Sequence, residues 1–120
     1  MAASISYHNR KFRSVTNSET GEVGQETIFH YQQTEDLVTA NYAGGDIRQG
    51  MLIAKADPSG HLDMRYQHLN QQGTLMTGMC KTVPEVLPDG RLRLHETWQW
   101  TSGDHSKGQS IVEEVPKTSQ

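Results

Sequence analysis

Seven clusters of turn-forming residues divide this chain of 120 residues into eight short segments, and no connection between segments is long enough for a crossover. The clusters are Asn17-Ser18-Glu19-Thr20-Gly21, Gln33-Thr34-Glu35-Asp36, Ala43-Gly44-Gly45-Asp46, Asp57-Pro58-Ser59-Gly60, Asn70-Gln71-Gln72-Gly73, Pro84 to Gly90 and Ser102-Gly103-Asp104. Glycine accepts positive φ, proline presets φ, and Asn, Asp and Ser bond back to the local backbone, so each cluster turns the chain for a stated reason.

The segments between the turns read as strands. In Leu62-Asp63-Met64-Arg65-Tyr66-Gln67-His68 apolar and polar residues alternate strictly, and in Leu92-Arg93-Leu94-His95-Glu96-Thr97-Trp98-Gln99-Trp100 they alternate again, with Glu96 as the exception. A period of two is the strand period, and no segment keeps a 3.6 period for three turns. The predicted strands are 5–17, 25–33, 37–43, 46–56, 61–69, 73–82, 91–101 and 107–115. Val83 to Asp89, with two prolines, reads as a loop or an edge, and 116–120 as a frayed tail. Short connections make sequential strands antiparallel neighbours. Closing the sheet removes its exposed edges, so one all-β domain, 1–120, is expected: an antiparallel up-and-down barrel of about eight strands. A two-sheet sandwich is the alternative, though it usually needs a longer connection. The apolar content of 33% is low for a globular chain and suits strands with one wet face.

Closure would turn one face of every strand into an interior. The inward set is Val38, Ala40 and Tyr42 in strand three, Leu62, Met64, Tyr66 and His68 in strand five, and Leu92, Leu94, Glu96, Trp98 and Trp100 in strand seven. Strand two is open between Phe29/Tyr31 and Ile28/His30, strand six between Leu75/Thr77/Met79 and Met76/Gly78/Cys80, and strand eight between Ile111/Glu113 and Val112/Glu114. Glu96 shares a face with four large apolar residues, where a carboxylate costs several kcal/mol to desolvate unless it is paired or protonated. The candidate ligand-binding residues are therefore Tyr31, Tyr42, Tyr66, His68, Glu96, Trp98 and Trp100, around an apolar cavity with a few polar groups. The competing readings place Glu96 at the rim, in a structural salt bridge or on a bulge, and the aromatics in plain core packing.

Other chemistry is not signalled. The six histidines, His8, His30, His61, His68, His95 and His105, lack the short spacings of zinc ligands, so no metal is expected. Cys80 beside Lys81 is read as an inert, buried thiol rather than an activated one. There is no G-x-S-x-G elbow and no glycine-rich loop opening a helix, and no cofactor is expected. The net charge of −3, mixed along the chain, leaves no basic footprint for nucleic acid. The longest apolar run, Met51-Leu52-Ile53-Ala54, is far too short to span a bilayer, and Met1-Ala2-Ala3-Ser4 lacks a secretory pattern. A single cysteine fits a reducing compartment, so a cytoplasmic location is expected.

Asn17-Ser18-Glu19-Thr20-Gly21-Glu22-Val23, Thr27-Ile28-Phe29-His30-Tyr31, Leu62 to His68, Pro84 to Arg91 and Leu94 to Asp104 resemble a family of small bacterial proteins whose members often carry the label N-acetylglutamate synthase. The resemblance covers about residues 7 to 115. It implies a calycin-like or avidin-like barrel and carries no catalytic residue to any position of this chain.

Three functions follow as expectations. The first is a barrel that binds a small apolar or aromatic molecule through the residues named above. The second is an enzyme in the same cavity, with Glu96 as general acid or base and His68 or a tyrosine as partner. The third is a homodimeric interaction module that uses the apolar outer face of an edge strand.

Overall fold

Eight antiparallel strands follow one another around a closed barrel: β1 (Arg10–Asn17), β2 (Ile28–Thr34), β3 (Leu37–Gly44), β4 (Ile47–Ala56), β5 (Leu62–Asn70), β6 (Leu75–Val86), β7 (Leu92–Trp100) and β8 (Lys107–Glu114). The structure, a computed structural model, describes residues 5–116; the expectations for Met1-Ala2-Ala3-Ser4 and for 117–120 of the tail lie outside the described residues. Strand β1 closes the barrel by pairing with β8, from Phe12 opposite Glu114 to Asn17 opposite Ser110. The expected up-and-down order is the observed one.

Most boundaries shift by one or two residues and β2 begins three residues late, at Ile28; two ends shift further. Strand β1 begins at Arg10, because Asn9 takes a left-handed conformation (φ 61) that breaks the ladder. Residues 5–9 instead fold beneath the barrel and bury Tyr7, whose hydroxyl donates to the Gly60 carbonyl. Strand β6 runs on to Val86, through the stretch read as a loop, and pairs Pro84 with Leu94. Thr77 and Leu87 direct their N–H groups to Ser102 and Arg91 on the β7 side, so the even-numbered residues between them face β5. The last β6 residue that β5 pairs is Thr82, so the N–H that Pro84 lacks would have met no ladder partner.

The unassigned phases resolve as Phe29 and Tyr31 inward in β2, Gly78, Cys80 and Thr82 in β6, and Ser110, Val112 and Glu114 in β8. The lower half of the interior is filled by Tyr7, Phe12, Tyr31, Val38, Leu62, Leu92, Leu94 and Val112. Tyr31 stacks on Tyr7 (5.8 Å between ring centroids) and meets Phe12 edge-on (4.9 Å). Glu114 is buried at this end, but its charge is countered: Arg10 Nη1 lies 2.6 Å from its Oε1, which also accepts the Leu92 N–H at 3.0 Å.

The upper half is built on aromatic rings laid across glycines. Tyr42 pairs with Gly50, Tyr66 with Gly78 and Trp98 with Gly108, each across neighbouring strands. A Cβ on any of these glycines would overlap the ring above it. The barrel can therefore hold bulky rings flat against its wall and leave its axis open. Two bulges mark the same end. The one between Ser14 and Thr16 shifts the phase of β1 so that Asn17 turns inward, and the one between Ile47 and Gln49 lets both Ile47 and Gly50 face the interior.

Gly50→Ala should lower the stability to urea unfolding by about 1–3 kcal/mol, since its methyl meets the Tyr42 ring and His68 Cβ. Gly24→Ala, in open space, should leave the midpoint nearly unchanged. Equal midpoints for the two variants would show that the ring-on-glycine contact does not constrain the fold.

Candidate functional site

The connection between β1 and β2, residues 18–27, crosses the upper mouth of the barrel and is pinned there by polar contacts. The indole Nε1 of Trp100 donates to the Thr20 carbonyl at 3.0 Å, and Asn17 Nδ2 donates to the Val23 carbonyl at 2.9 Å. Glu22 reaches inward from this loop. Its carboxylate accepts from Asn70 Nδ2 at 3.1 and 3.3 Å and lies 2.8 Å from His68 Nε2. The other ring nitrogen of His68, Nδ1, is 3.0 Å from the Tyr42 hydroxyl. One neutral tautomer satisfies the chain: Nε2–H donates to Glu22 and Nδ1 accepts from Tyr42.

Beneath the loop lies a cavity of about 50 Å³, partly open at the mouth. Its walls are Phe29, Tyr42, Tyr66, Trp98 and Trp100, with Leu52, Met64 and Cys80 deeper and Glu22, His68 and Asn17 above. The rings are tilted rather than stacked, with Tyr66 at 66° and Trp98 at 60° to Trp100, so they surround the space instead of filling it. The cavity has room for a few water-sized groups when the loop is down.

Glu96 projects into this cavity from the middle of β7. Alternation holds through the strand without a bulge, and Glu96 sits level with Thr82 on one side and Ser110 on the other. Ser110 Oγ donates to Glu96 Oε1 at 3.0 Å, while Oε2 has no hydrogen-bond partner among the described residues. The residue keeps some accessible surface because the cavity lies against it, yet the surrounding protein withholds bulk water. Burial therefore raises its pKa to about 7, against the smaller lowering effect of the Ser110 hydrogen bond. No lysine or arginine among the described residues lines the cavity.

The neighbouring groups respond to the same environment. Burial raises the phenols of Tyr42 and Tyr66 well above the usual range, and the Glu96 charge adds to this, so both remain neutral donors. Burial likewise pushes the Cys80 thiol up, and Lys81 lies on the outer face with its Nζ 3.3 Å from Asp63.

Of the residues singled out in the sequence, Tyr42, Tyr66, His68, Glu96, Trp98 and Trp100 all line this one cavity. Tyr31 faces inward as well, but it lies one level down, sealed between Tyr7, Phe12 and Phe29, and does not reach the space. Glu22, Asn17, Asn70 and Ser110 were missed. Ser110 was findable, as the inward residue of β8 two positions before Val112. Glu22 carries no periodic signal, because it sits in a loop whose path only the folded mouth defines.

The Glu96 pKa implies a signed dependence of stability on pH. A carboxyl near 7 in the folded state and near its model value of 4.5 when unfolded carries no penalty at low pH, where both states are protonated. The penalty grows as pH rises from about 4.5 and is complete above about 7, at roughly 3 kcal/mol. Glu96→Gln should therefore match the parent near pH 4 and exceed it by up to about that amount near pH 8, in urea melts across the range. A constant difference between the two at all pH values would mean that Glu96 is not desolvated.

No curated protein matches the chain, and no solved structure does. The family described as Avidin-like protein matches residues 5–115, which take in all eight strands, the loop over the mouth and every residue of the cavity. The chain belongs to the avidin-like protein family.

Proposed function

We propose that this barrel binds a small molecule with an apolar or aromatic body in the upper cavity. The observation that carries the reading is the combination of tilted aromatic walls with one unpartnered carboxylate oxygen, Glu96 Oε2, at the centre. A space meant only to be filled would not place an unpaired carboxylate there, because its desolvation opposes folding. The family match supports the same reading. The acyl transfer implied by the synthase label has less support, since the described residues form no helix whose N-terminus could hold a pyrophosphate.

An enzymatic reading is favoured by one specific observation. A carboxyl titrating near 7 is matched to proton transfer at neutral pH, with Tyr66 across the same cavity as a neutral donor. A homodimer has support on the outer wall, where Leu37, Met51, Ile53 and Met79 of β3, β4 and β6 are exposed. Ile53→Asp should leave a monomer by sedimentation equilibrium if that face pairs two copies.

The two tryptophans of the chain, Trp98 and Trp100, both line the cavity, so tryptophan emission reports on it alone. A thermal-shift screen of small planar heterocycles, amines and amides should yield compounds that raise the midpoint and also shift or quench this emission. Trp98→Phe should weaken those compounds by about tenfold. Stabilising compounds that leave the emission untouched, or a screen without stabilisers, would overturn the reading.

A further inference from the structure

We propose that the ligand of the upper cavity is a small organic cation, a protonated amine, amidine or guanidine, with its N–H on Glu96 Oε2 and its carbon skeleton against Trp98 and Tyr66. This rests on the binding reading above and adds the sign of the charge.

Glu22 and Glu96 are the ionisable acids of the cavity wall, and no lysine or arginine among the described residues joins them. Glu22 is already engaged by His68 and Asn70. Glu96 is not engaged by any cation, in contrast to Glu114 at the other end of the barrel, where Arg10 supplies the countercharge. A carboxylate with an open oxygen in a water-poor pocket attracts a charged donor far more strongly than it would in water. An anion entering the same space would meet two carboxylates and no lysine or arginine, with both nitrogens of the lining His68 already taken by Glu22 and Tyr42, so the pocket disfavours it.

Tyr42, Tyr66, Trp98 and Trp100 surround the space, with Tyr66 and Trp98 at 66° and 60° to Trp100 and each 5.7 Å from it between ring centroids. Rings arranged this way offer several π faces to one centre, and a π face attracts a cation. Burial keeps the two phenols neutral, so neither adds charge to the walls, and the Tyr42 proton is already committed to His68 Nδ1. A neutral ligand would use the aromatic surface but would leave the carboxylate uncompensated and more deeply desolvated.

The test uses two series matched in heavy-atom shape and differing in charge: acetamidinium, acetamide and acetate, and the larger benzamidinium, benzamide and benzoate. Dissociation constants are measured on the full chain by calorimetry and tryptophan emission at about pH 8, where Glu96 is mostly ionised. In at least one series the cation should bind at least about tenfold more tightly than its neutral isostere, and the anion should not bind. Glu96→Gln keeps the acceptor oxygen for Ser110 and removes the charge, so it should bring cation and neutral isostere to within about twofold of each other. Neutral members binding as tightly as cations, or a preference that survives Glu96→Gln, would overturn the proposal and leave the binding reading standing. No binding by any member, when the wider screen yields cavity ligands, would overturn it as well. Failure of both the series and the screen would remove the binding reading itself.

Discussion

The pairing of β1 with β8 is the constraint on which the rest depends. Without it the eight strands would form an open sheet, and Glu96 would sit on a wet face with an ordinary acidity. Closure gives that face an inside. It places Phe12 opposite Glu114 and Asn17 opposite Ser110, and so sets the level at which β8 presents Ser110 to the Glu96 carboxyl. The bulge in β1 belongs to the same junction. One extra residue between Ser14 and Asn17 reverses the facing of the strand's last turn and points a polar amide at the mouth.

The barrel treats its two ends differently, and the difference is physical. At the lower end the Glu114 charge is countered by Arg10, and its Oε1 also accepts the Leu92 N–H, so it closes the structure. At the upper end the carboxylate of Glu22 and the ring of His68 are used up in holding the loop over the mouth. Between these satisfied groups Glu96 has a single serine. A group left unsatisfied in an otherwise well-satisfied interior weakens the folded state, and such a weakness is retained where it serves a site.

Period-two alternation reports which face a residue occupies, and it was read correctly for β3, β5 and β7. It says nothing about height along the barrel axis, which depends on strand stagger. Tyr31 and Tyr42 were therefore indistinguishable in sequence, although one packs the floor and the other walls the cavity. In β6 the alternation was ambiguous for a different reason: Leu75 and Met79 are apolar but exposed, while the inward Gly78 has no side chain to signal its facing. The glycine pattern only acquires meaning once each one is seen beneath an aromatic ring of the preceding strand. Glu22 lay beyond any periodic argument, since a loop residue finds His68 through the closed fold and not through spacing.

The polar chain at the mouth bears on how a ligand would enter. Glu22, His68 and Tyr42 are linked so that each donor has an acceptor, which leaves none of them an N–H or O–H to offer a new partner while the loop is down. The same links bind the loop to β3 and β5 through side chains alone, and the Trp100 indole adds β7. Such contacts open at a smaller cost than a strand ladder, because water can replace each of them as it breaks. Opening would uncover Trp100 and lead straight to the Glu96 oxygen. Side-chain hydrogen bonds thus hold the loop over a cavity in which Glu96 keeps one oxygen without a partner among the described residues.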